Sequence, residues 1–143
     1  MRGFKLVSNI KGGILPKRGS SFSAGYDISS IEEVTIFAGE TKILNTGIKA
    51  YMQDDEVLEL HIRSSIGIKK HLMLANCTGI IDSDYYNNTS NEGHIMIALH
   101  NYGNDCITIE KNERIAQGIF KKYLIANEEA VTSTRSGGIG STN

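Results

Sequence analysis

Residues 57–63 of the chain read VLELHIR, which is the clearest secondary-structure signal in the sequence. Its apolar residues Leu58, Leu60 and Ile62 stand at every second position, which is the period of a β-strand with one buried face. The alternation returns in HIMIALH at 94–100 and in shorter β-branched stretches at 34–37, 43–49, 107–109 and 115–119. A turn or two of helix suits only residues 64–74. The sequence therefore predicts an all-β fold of the sandwich, jelly-roll or barrel type, with turns rich in Gly, Asn and Asp.

The length and charge of the chain limit its function classes. With 143 residues and a mass of 15.7 kDa, the chain fits a single domain. Its 15 Lys and Arg residues nearly balance its 16 Asp and Glu residues, which leaves a net charge of −1. This balance argues against a strongly basic nucleic-acid-binding protein, and the hydrophobic content of 40% argues against a disordered chain.

Cysteine content and apolar runs predict the compartment. Two cysteines are too few for a disulfide framework. The apolar runs are far shorter than the ~18 residues of a membrane span, and no secretory signal follows the basic N-terminus. We therefore predict a protein of the reducing cytoplasm that does not associate with membranes. Cys77 lies in an apolar run and is predicted to be a buried thiol.

The composition changes toward the C-terminus. Residues 127–143 lose hydrophobic density and contain GGIGST at 137–142. We predict a β domain at residues 1–126 followed by a mobile arm at residues 127–143. Consecutive glycines let backbone amides approach an anion, so the arm is either a phosphate cradle or a terminus without a binding role. No Lys precedes Ser141, which excludes a Walker A loop.

Arginine recurs beside hydroxyl or amide side chains at three places in the chain. These clusters are Arg63-Ser64-Ser65, Arg114 with Gln117, and Arg135-Ser136. A guanidinium binds phosphate bidentately, and hydroxyl and amide groups donate hydrogen bonds to phosphate oxygens. One such cluster is typical of a solvated edge, whereas three clusters with a glycine-rich terminus predict a polyphosphate ligand.

Three aspartates are candidates for catalysis or metal binding, namely Asp27, Asp82 and Asp84. Asp82 ends an apolar run and suits a general base, while the other carboxylates suit Mg²⁺, which prefers oxygen ligands and phosphate. A hydrogen bond within a turn is the alternative for each. The four histidines lack metal-ligand spacing. Tyr85 and Tyr86 suit either stacking on a sugar or base or packing within the domain.

Taken in order, five segments of the chain resemble the five motifs of the homotrimeric dUTP diphosphatases, or dUTPases. They are SAGYDI at 23–28, RSSIG at 63–67, NCTGIIDSDY at 76–85, RIAQ at 114–117 and GGIGST at 137–142. The resemblance spans nearly the whole chain in the right order and spacing. Five motifs in sequence are far more specific than one.

The resemblance implies both an architecture and a reaction. The subunit would be a jelly-roll-like β-barrel that assembles as a homotrimer, with three active sites at the subunit interfaces and the arm closing over the substrate. The implied reaction converts dUTP and water to dUMP and diphosphate, with Mg²⁺ bound to the phosphates. Neither stable nucleic-acid binding nor a membrane partner is implied.

The third motif supplies the residues that the resemblance places at the reacting centre. Asp82 would orient and deprotonate the water that attacks the α-phosphorus. Tyr85 would stack against the deoxyribose and exclude a 2′-hydroxyl, while Asn76 and the backbone around Gly79 would read the uracil edge. Asp27, from the first motif, would act on the metal through water.

The other motifs would bind the rest of the substrate. Their implied binding residues are Arg63, Ser64 and Ser65 in the second motif, Arg114 and Gln117 in the fourth, and Arg135, Gly138, Ile139, Ser141 and Thr142 in or beside the fifth. Ser64 and Gln117 would hold phosphate oxygens. Arg63 and Arg114 would support the phosphates or the region of the catalytic aspartate. Arg135 and the arm would clamp the distal phosphates.

Two departures from the family pattern concern the uracil pocket. Ile139 stands where the fifth motif usually has an aromatic residue, and a longer loop at residues 86–92 follows Tyr85. Either Ile139 covers the base, or Tyr86 in that loop does so. Two alternatives to a dUTPase are a dCTP deaminase-like enzyme of the same fold and a nucleotide-sensing module that has lost catalysis.

Overall fold

The computed structural model describes residues 1–129, 135 and 137–139, and these form a barrel of short antiparallel strands. The strands are β1 Gly3–Leu6, β2 Lys17–Arg18, β3 Tyr26–Ser29, β4 Val34–Ile36, β5 Thr41–Asn45, β6 Ile48–Tyr51, β7 Glu56–Ile62, β8 Leu72–Leu74, β9 Gly79–Asp82, β10 Met96–Asn101, β11 Ile107–Ile109 and β12 Arg114–Lys122. The helices are α1 Ser64–Lys70 and a 3-10 turn at Ser83–Tyr85. The predicted all-β, jelly-roll-like fold is confirmed.

The largest sheet has the strand order β2-β3-β12-β7-β9, and all neighbouring strands in it are antiparallel. β7 contains residues 57–62 of the alternating stretch at 57–63. Leu58 and Leu60 are buried, whereas Glu59 and His61 on the opposite face are only half-buried. β12 pairs with β7 along seven residues, so these two strands hold the sheet together.

Three smaller sheets complete the barrel, with the orders β5-β10-β8, β1-β6 and β4-β11. In β10, Ile97 and Leu99 are buried and alternate with the partly exposed Met96 and Ala98, which confirms the strand predicted at 94–100. The buried side chains of this strand and of β7 belong to one hydrophobic core made mainly of Ile and Leu.

The α-helix α1 lies where the sequence suits a helical turn. It begins after β7 and buries Ile66, while Lys69 and Lys70 in its last turn complement the negative end of the helix dipole. It ends at His71, whose φ of 52° is left-handed. Among the described residues, no helix is long and apolar enough to cross a membrane.

The strand predicted at residues 43–49 is wrong in one respect, because the chain turns in its middle. Gly47 has a φ of +67°, and a Cβ there would lie 2.9 Å from the Cα of Gly13. The first half therefore pairs with β10 as β5, and the second half passes to another sheet as β6, paired with β1.

The prediction of a buried Cys77 thiol is also wrong. Cys77 is exposed and has a φ of 62°, because it occupies the tight turn between β8 and β9. Its amide donates to the Leu74 carbonyl across 2.9 Å. The geometry of the turn, rather than the flanking apolar residues, therefore sets its exposure.

The predicted arm falls mainly outside the described residues. Those outside are 130–134, 136 and 140–143, which include Ser136, Ser141 and Thr142. Of the arm residues that are described, 127–129 are exposed, Gly137 is buried, and Arg135 and Gly138 are partly buried. The boundary at residue 126 and the mobility of the arm stay predictions.

Candidate active site

A cleft of about 400 Å³ opens beside β9, a volume that suits a small-molecule ligand. Its walls are largely apolar and include Leu60, Leu74 and Ile97. Seven residues that the sequence singles out line this one cleft: Asn76, Gly79, Asp82, Tyr85, Arg135, Gly138 and Ile139. The fold thus brings the third motif and the described part of the fifth motif together.

The β8–β9 hairpin forms one wall of the cleft. Gly79 begins β9 directly against Leu60, since a Cβ at this position would lie 2.9 Å from the Leu60 Cβ. Glycine alone permits this approach, and it leaves the backbone uncovered by a side chain. The left-handed turn at Cys77 places the exposed Asn76 beside it. The wall therefore offers backbone and amide groups that can bind the edge of a planar ligand.

Two carboxylates and one guanidinium meet at the cleft. Arg135 donates through Nη2 to Asp82 Oδ2 at 2.5 Å and through Nε to Asp84 Oδ1 at 2.7 Å. The guanidinium also lies 6.0 Å from the centre of the Tyr85 ring. Because the Asp82 side chain is about half exposed, a water molecule can still reach its carboxylate.

The Tyr85 ring forms a fixed wall of the cleft, and only 7% of this residue is exposed. Its hydroxyl donates to the His94 carbonyl and accepts from Asn91 Nδ2, each at 2.8 Å. Gly138 of the arm lies directly on the ring, because a Cβ at 138 would be 2.6 Å from Tyr85 Cε2. The ring is thus held at its hydroxyl and covered from the arm side.

His94 supports the same corner of the cleft. Its Nε2 accepts hydrogen bonds from the backbone amides of Gly47 at 3.1 Å and Thr46 at 3.4 Å. Burial lowers the pKa of His94 below its ordinary value. A neutral imidazole is the form that accepts these bonds, so His94 has a structural role here.

A second group of predicted residues, the Asp27 cluster, consists of Asp27, Arg63, Ser64, Ser65, Arg114 and Gln117. Arg63 Nε and Arg114 Nη1 donate to the two different oxygens of Asp27, each at 2.9 Å. Gln117 is the register partner of Asp27 between β12 and β3, and the two serines are exposed at the start of α1. Guanidinium, amide and hydroxyl groups together form a donor set for phosphate.

The cleft and the Asp27 cluster are separate within one chain. Asp82 is opposite Val57 of β7, whereas Gln117 is opposite His61, four residues along the same strand. That offset alone amounts to ~13 Å. The cleft is lined by none of the described residues of the Asp27 cluster. Each chain therefore carries two separate groups of candidate site residues, which we call its half-sites.

The two candidates for covering a bound base lie in different places. Ile139 lines the cleft and is 80% exposed. Tyr86 packs edge-to-face on Tyr51, with ring centres 6.0 Å apart, and Lys49 Nζ lies 5.2 Å from the centre of its ring. Tyr86 is held outside the cleft, so Ile139 is the better placed of the two.

Sequence reasoning missed the residues that hold the loop after Tyr85. Lys49 Nζ donates to Glu92 Oε1 at 2.5 Å and to Asn87 Oδ1 at 2.7 Å, and Asn91 reaches the Tyr85 hydroxyl. The density of asparagine in the loop was a signal of local hydrogen bonding. Lys49 gave no signal, because it is distant in sequence from the residues that it contacts.

The described residues also limit how a metal ion can bind. Among them, no group of three or more His, Cys, Asp or Glu side chains converges on one point. Both oxygens of Asp27 accept hydrogen bonds from arginines. This donor set fits a Mg²⁺ ion that arrives on phosphate oxygens, since Mg²⁺ usually keeps several waters and takes one or two carboxylates.

The sequence of the chain is similar to those of known proteins. A family model described as dUTPase matches residues 11–143. The deoxyuridine 5′-triphosphate nucleotidohydrolase of Lactococcus lactis subsp. lactis (strain IL1403) is 47% identical over 146 residues, which covers 99% of this chain and 97% of that protein.

Solved structures share the fold. The dUTPase from Streptococcus mutans matches with a TM-score of 0.82 and 44% identity, over 87% of this chain and 98% of that one. A mutant of the Staphylococcus bacteriophage 80alpha dUTPase, with dUpNHpp, matches with a TM-score of 0.71 and 26% identity, over 99% of this chain and 98% of that one. Since the family model covers nearly the whole sequence and the bacterial relative is similar from end to end, the chain belongs to the dUTPase family.

Proposed function

We propose that this protein is a dUTP diphosphatase, which hydrolyses dUTP to dUMP and diphosphate. The observation that carries the proposal is the cleft, where Asp82, Tyr85 and the uncovered backbone of Gly79 surround a space for one nucleoside. Membership of the dUTPase family supports the choice of substrate, and the name of the Lactococcus lactis relative supports the reaction.

Uracil would bind against the β8–β9 hairpin. Uracil and cytosine differ by an exchanged donor and acceptor. Fixed groups at Asn76 and Gly79 distinguish the two bases strongly, because the wrong base leaves polar groups unpaired. Thymine adds a methyl group, which a tight hairpin pocket excludes. Ile139 would cover the base from the arm side.

Asp82 is the proposed general base. It would orient a water molecule and take its proton as the water oxygen attacks the α-phosphorus, while the bond to the bridging oxygen breaks and diphosphate leaves. Arg135 donates to only one oxygen of Asp82, so the other oxygen would hold this water. When the nucleotide binds, Arg135 would exchange Asp82 for phosphate oxygens.

The Asp27 cluster would bind the triphosphate. Arg63 and Arg114 would face the phosphates with their guanidiniums held in place by Asp27, and Ser64 and Gln117 would donate hydrogen bonds to phosphate oxygens. Bound Mg²⁺ would neutralise negative charge on the phosphates, and Asp27 would meet it through water.

The active site would be completed between the subunits of a homotrimer. The cleft and the Asp27 cluster lie apart in one chain, so one nucleotide would bind between the cleft of one subunit and the Asp27 cluster of the next. Leu124 and Ile125, just after β12, are 98% and 72% exposed, which supports a neighbouring subunit that covers them. A closed ring of three copies gives three equivalent sites, over which the arm at 127–143 would close.

A reducing cytoplasmic location is also proposed. Both cysteines, Cys77 and Cys106, are free and exposed. Exposed free thiols persist most readily where the compartment keeps them reduced.

The test is incubation with dUTP, dCTP and Mg²⁺, followed by separation of the products. Formation of dUMP and diphosphate from dUTP supports the proposal. Ammonia release from dCTP would identify a deaminase, and dUTP binding without turnover would identify a sensing module. Either result contradicts the proposal. Light scattering should give three times 15.7 kDa, whereas a fully active monomer would contradict the shared site.

A further inference from the structure

The loop at residues 86–92 is built around the side chain of Tyr85. Asn91 Nδ2 donates to the Tyr85 hydroxyl, and that hydroxyl donates to the His94 carbonyl, each across 2.8 Å. A phenol has one proton to donate. A donor on one side and an acceptor on the other therefore fix both the direction of the O–H bond and the position of the ring end that carries it.

Asn88 ties the same loop to the backbone of Tyr85. Its Nδ2 donates to the Tyr85 carbonyl and to Asn91 Oδ1, both at 2.8 Å. Its Oδ1 accepts from the amides of Ser90 and Asn91 at 3.0 and 3.1 Å. Gly93 closes the loop with a φ of +81°, and a Cβ there would lie 2.7 Å from the Tyr85 carbonyl oxygen. The loop thus holds Tyr85 at its backbone and at its hydroxyl.

A buried lysine anchors the loop to the barrel. The Lys49 side chain, 8% exposed, donates to Glu92 Oε1 and Asn87 Oδ1 at 2.5 and 2.7 Å. Glu92 also accepts from the amide and the hydroxyl of Ser8 at 3.0 and 2.7 Å. Removing the partner of a buried ammonium is strongly destabilising. The loop therefore cannot swing away from the barrel while these contacts hold.

We propose that Asn91 is a positioning residue, which holds the Tyr85 ring in place and thereby sets the discrimination between deoxyribose and ribose. The inference rests on the proposed function, in which Tyr85 stacks against the sugar. The Tyr85 ring can exclude a 2′-hydroxyl only if the ring cannot move away from it. An apolar surface by itself discriminates between substrates that differ by one hydroxyl group by a factor of only about 10² in kcat/KM. Without Asn91, the Tyr85 hydroxyl is held by the His94 carbonyl alone, and the ring gains room to admit a 2′-hydroxyl.

The test compares Asn91→Asp with Ser90→Ala. Aspartate keeps the shape of Asn91 and the acceptor oxygen that the Gly93 amide binds at 3.1 Å, but its carboxylate cannot donate. The single proton of the Tyr85 hydroxyl then serves either that carboxylate or the His94 carbonyl, so the hydroxyl is held from one side instead of two. Ser90→Ala changes an exposed side chain of the same loop and keeps its backbone amide. We expect Asn91→Asp to lower the ratio of kcat/KM for dUTP to kcat/KM for UTP by about three- to tenfold, mostly through KM. Ser90→Ala should leave this ratio unchanged.

Tyr85→Phe tests whether Asn91 acts through the Tyr85 hydroxyl, because this change removes the hydroxyl and keeps the ring. It should lower the ratio by at least as large a factor, because it also removes the bond to the His94 carbonyl. Adding Asn91→Asp to it should have no further effect. Additive losses would show that Asn91 acts through the fold of the loop, and they would overturn the proposal. An unchanged ratio in a folded Asn91→Asp protein would overturn it as well.

Nucleotide binding separates this inference from the proposed reaction. Calorimetry with dUMP and UMP measures sugar discrimination without turnover. Suppose that the unmodified protein does not hydrolyse dUTP, but Asn91→Asp still reduces the preference for dUMP over UMP. The proposed reaction is then wrong, and the positioning role of Asn91 is retained. Hydrolysis of dUTP with an unchanged ratio in Asn91→Asp rejects the positioning role alone, and absence of both dUTP hydrolysis and sugar discrimination rejects both.

Discussion

The cleft beside β9 and the Asp27 cluster are built in opposite ways. The cleft is shaped by packed residues and by a network of hydrogen bonds around the buried Tyr85, so its geometry is complete within one chain. The Asp27 cluster is held by two ion pairs, and the Arg114 side chain in it is 57% exposed. An ion pair with an exposed partner such as Arg114 can change partners at little cost in free energy, whereas closely packed side chains resist displacement. On the proposed function, the shape of the cleft would select base and sugar, and the charges of the Asp27 cluster would bind the phosphates.

Asp82→Asn tests the catalytic part of the cleft and should have the largest effect. Asparagine keeps the shape of the side chain but cannot take a proton, so we expect kcat for dUTP to fall by about 10²–10⁴. Binding of dUTP, measured by calorimetry, should persist. Turnover within a factor of a few of the unmodified protein would remove Asp82 from the role of base.

Asp27→Ala tests the charged half-site. Without this carboxylate, Arg63 and Arg114 lose the partner that orients them, and we expect kcat/KM for dUTP to fall by about 10- to 100-fold. Affinity for deoxyuridine, which carries no phosphate, should not change. Asp105→Ala, at an exposed aspartate outside both half-sites, is the matched control. If deoxyuridine affinity falls together with dUTP turnover, the two half-sites are not independent.

Mixed subunits test whether the two half-sites belong to different chains. Asp82→Asn subunits keep the Asp27 cluster, and Asp27→Ala subunits keep the cleft. After denaturation and refolding of an equal mixture, about a quarter of the sites in randomly assembled trimers should be intact, if each half comes from a different subunit. Steady-state rates of the mixture should therefore exceed those of either variant alone. A mixture no more active than the average of its two components would place both halves in one chain.

Ile139→Phe tests what covers the base. A ring at this position should add roughly 0.5–1.5 kcal/mol of stacking, or at most about tenfold tighter dUTP binding. Because Tyr86 packs on Tyr51 outside the cleft, Tyr86→Ala should leave KM for dUTP almost unchanged. The reverse pattern, with an effect at 86 and none at 139, would show that the loop reorganises over the ligand.

The smallest expected effect is on acid stability, and it concerns the Lys49–Glu92 ion pair that anchors the loop beside the cleft. The hydrogen bond from Lys49 lowers the pKa of Glu92 from 4.5 to about 2. A carboxyl pKa that is lower in the folded than in the unfolded chain stabilises the fold above pH 4.5, and this stabilisation is lost as the pH falls toward 2. Glu92→Gln should therefore flatten the decline of the urea midpoint across that range. A parallel decline in both proteins would contradict the assignment.

Periodicity predicted the long elements well because burial repeats along them. β7 and β10 each alternate over six or seven residues, and α1 follows β7 where the alternation stops. The three-residue strands β4 and β11 were predicted from their β-branched residues, whereas β1 and β3, with four residues each, lack such a run and were not predicted. The turn at Gly47 was missed because it depends on the approach of Gly13, which is distant in sequence.

The residues of the candidate site were also predicted only in part. Residues in motifs, such as Asp82 and Arg63, were predicted because the motifs are contiguous in sequence. Residues that act through distant contacts were not: Lys49 meets Glu92 from 43 positions away. Nor does periodicity reveal that Arg63 and Arg114 converge on Asp27, since this requires the register of β3 against β12.

Leu60 belongs at once to the core and to the wall of the cleft. It is 3% exposed, lies within the hydrophobic core, and abuts Gly79 where β9 begins. For protein engineering, the double role of Leu60 couples thermal stability to substrate range, two properties that are usually selected separately. A replacement chosen at this position to raise the melting temperature would also displace Gly79 and the strand that lines the cleft, so on the proposed function thermal selection would alter substrate range. Core residues remote from the cleft, such as Ile36, leave the two traits separable.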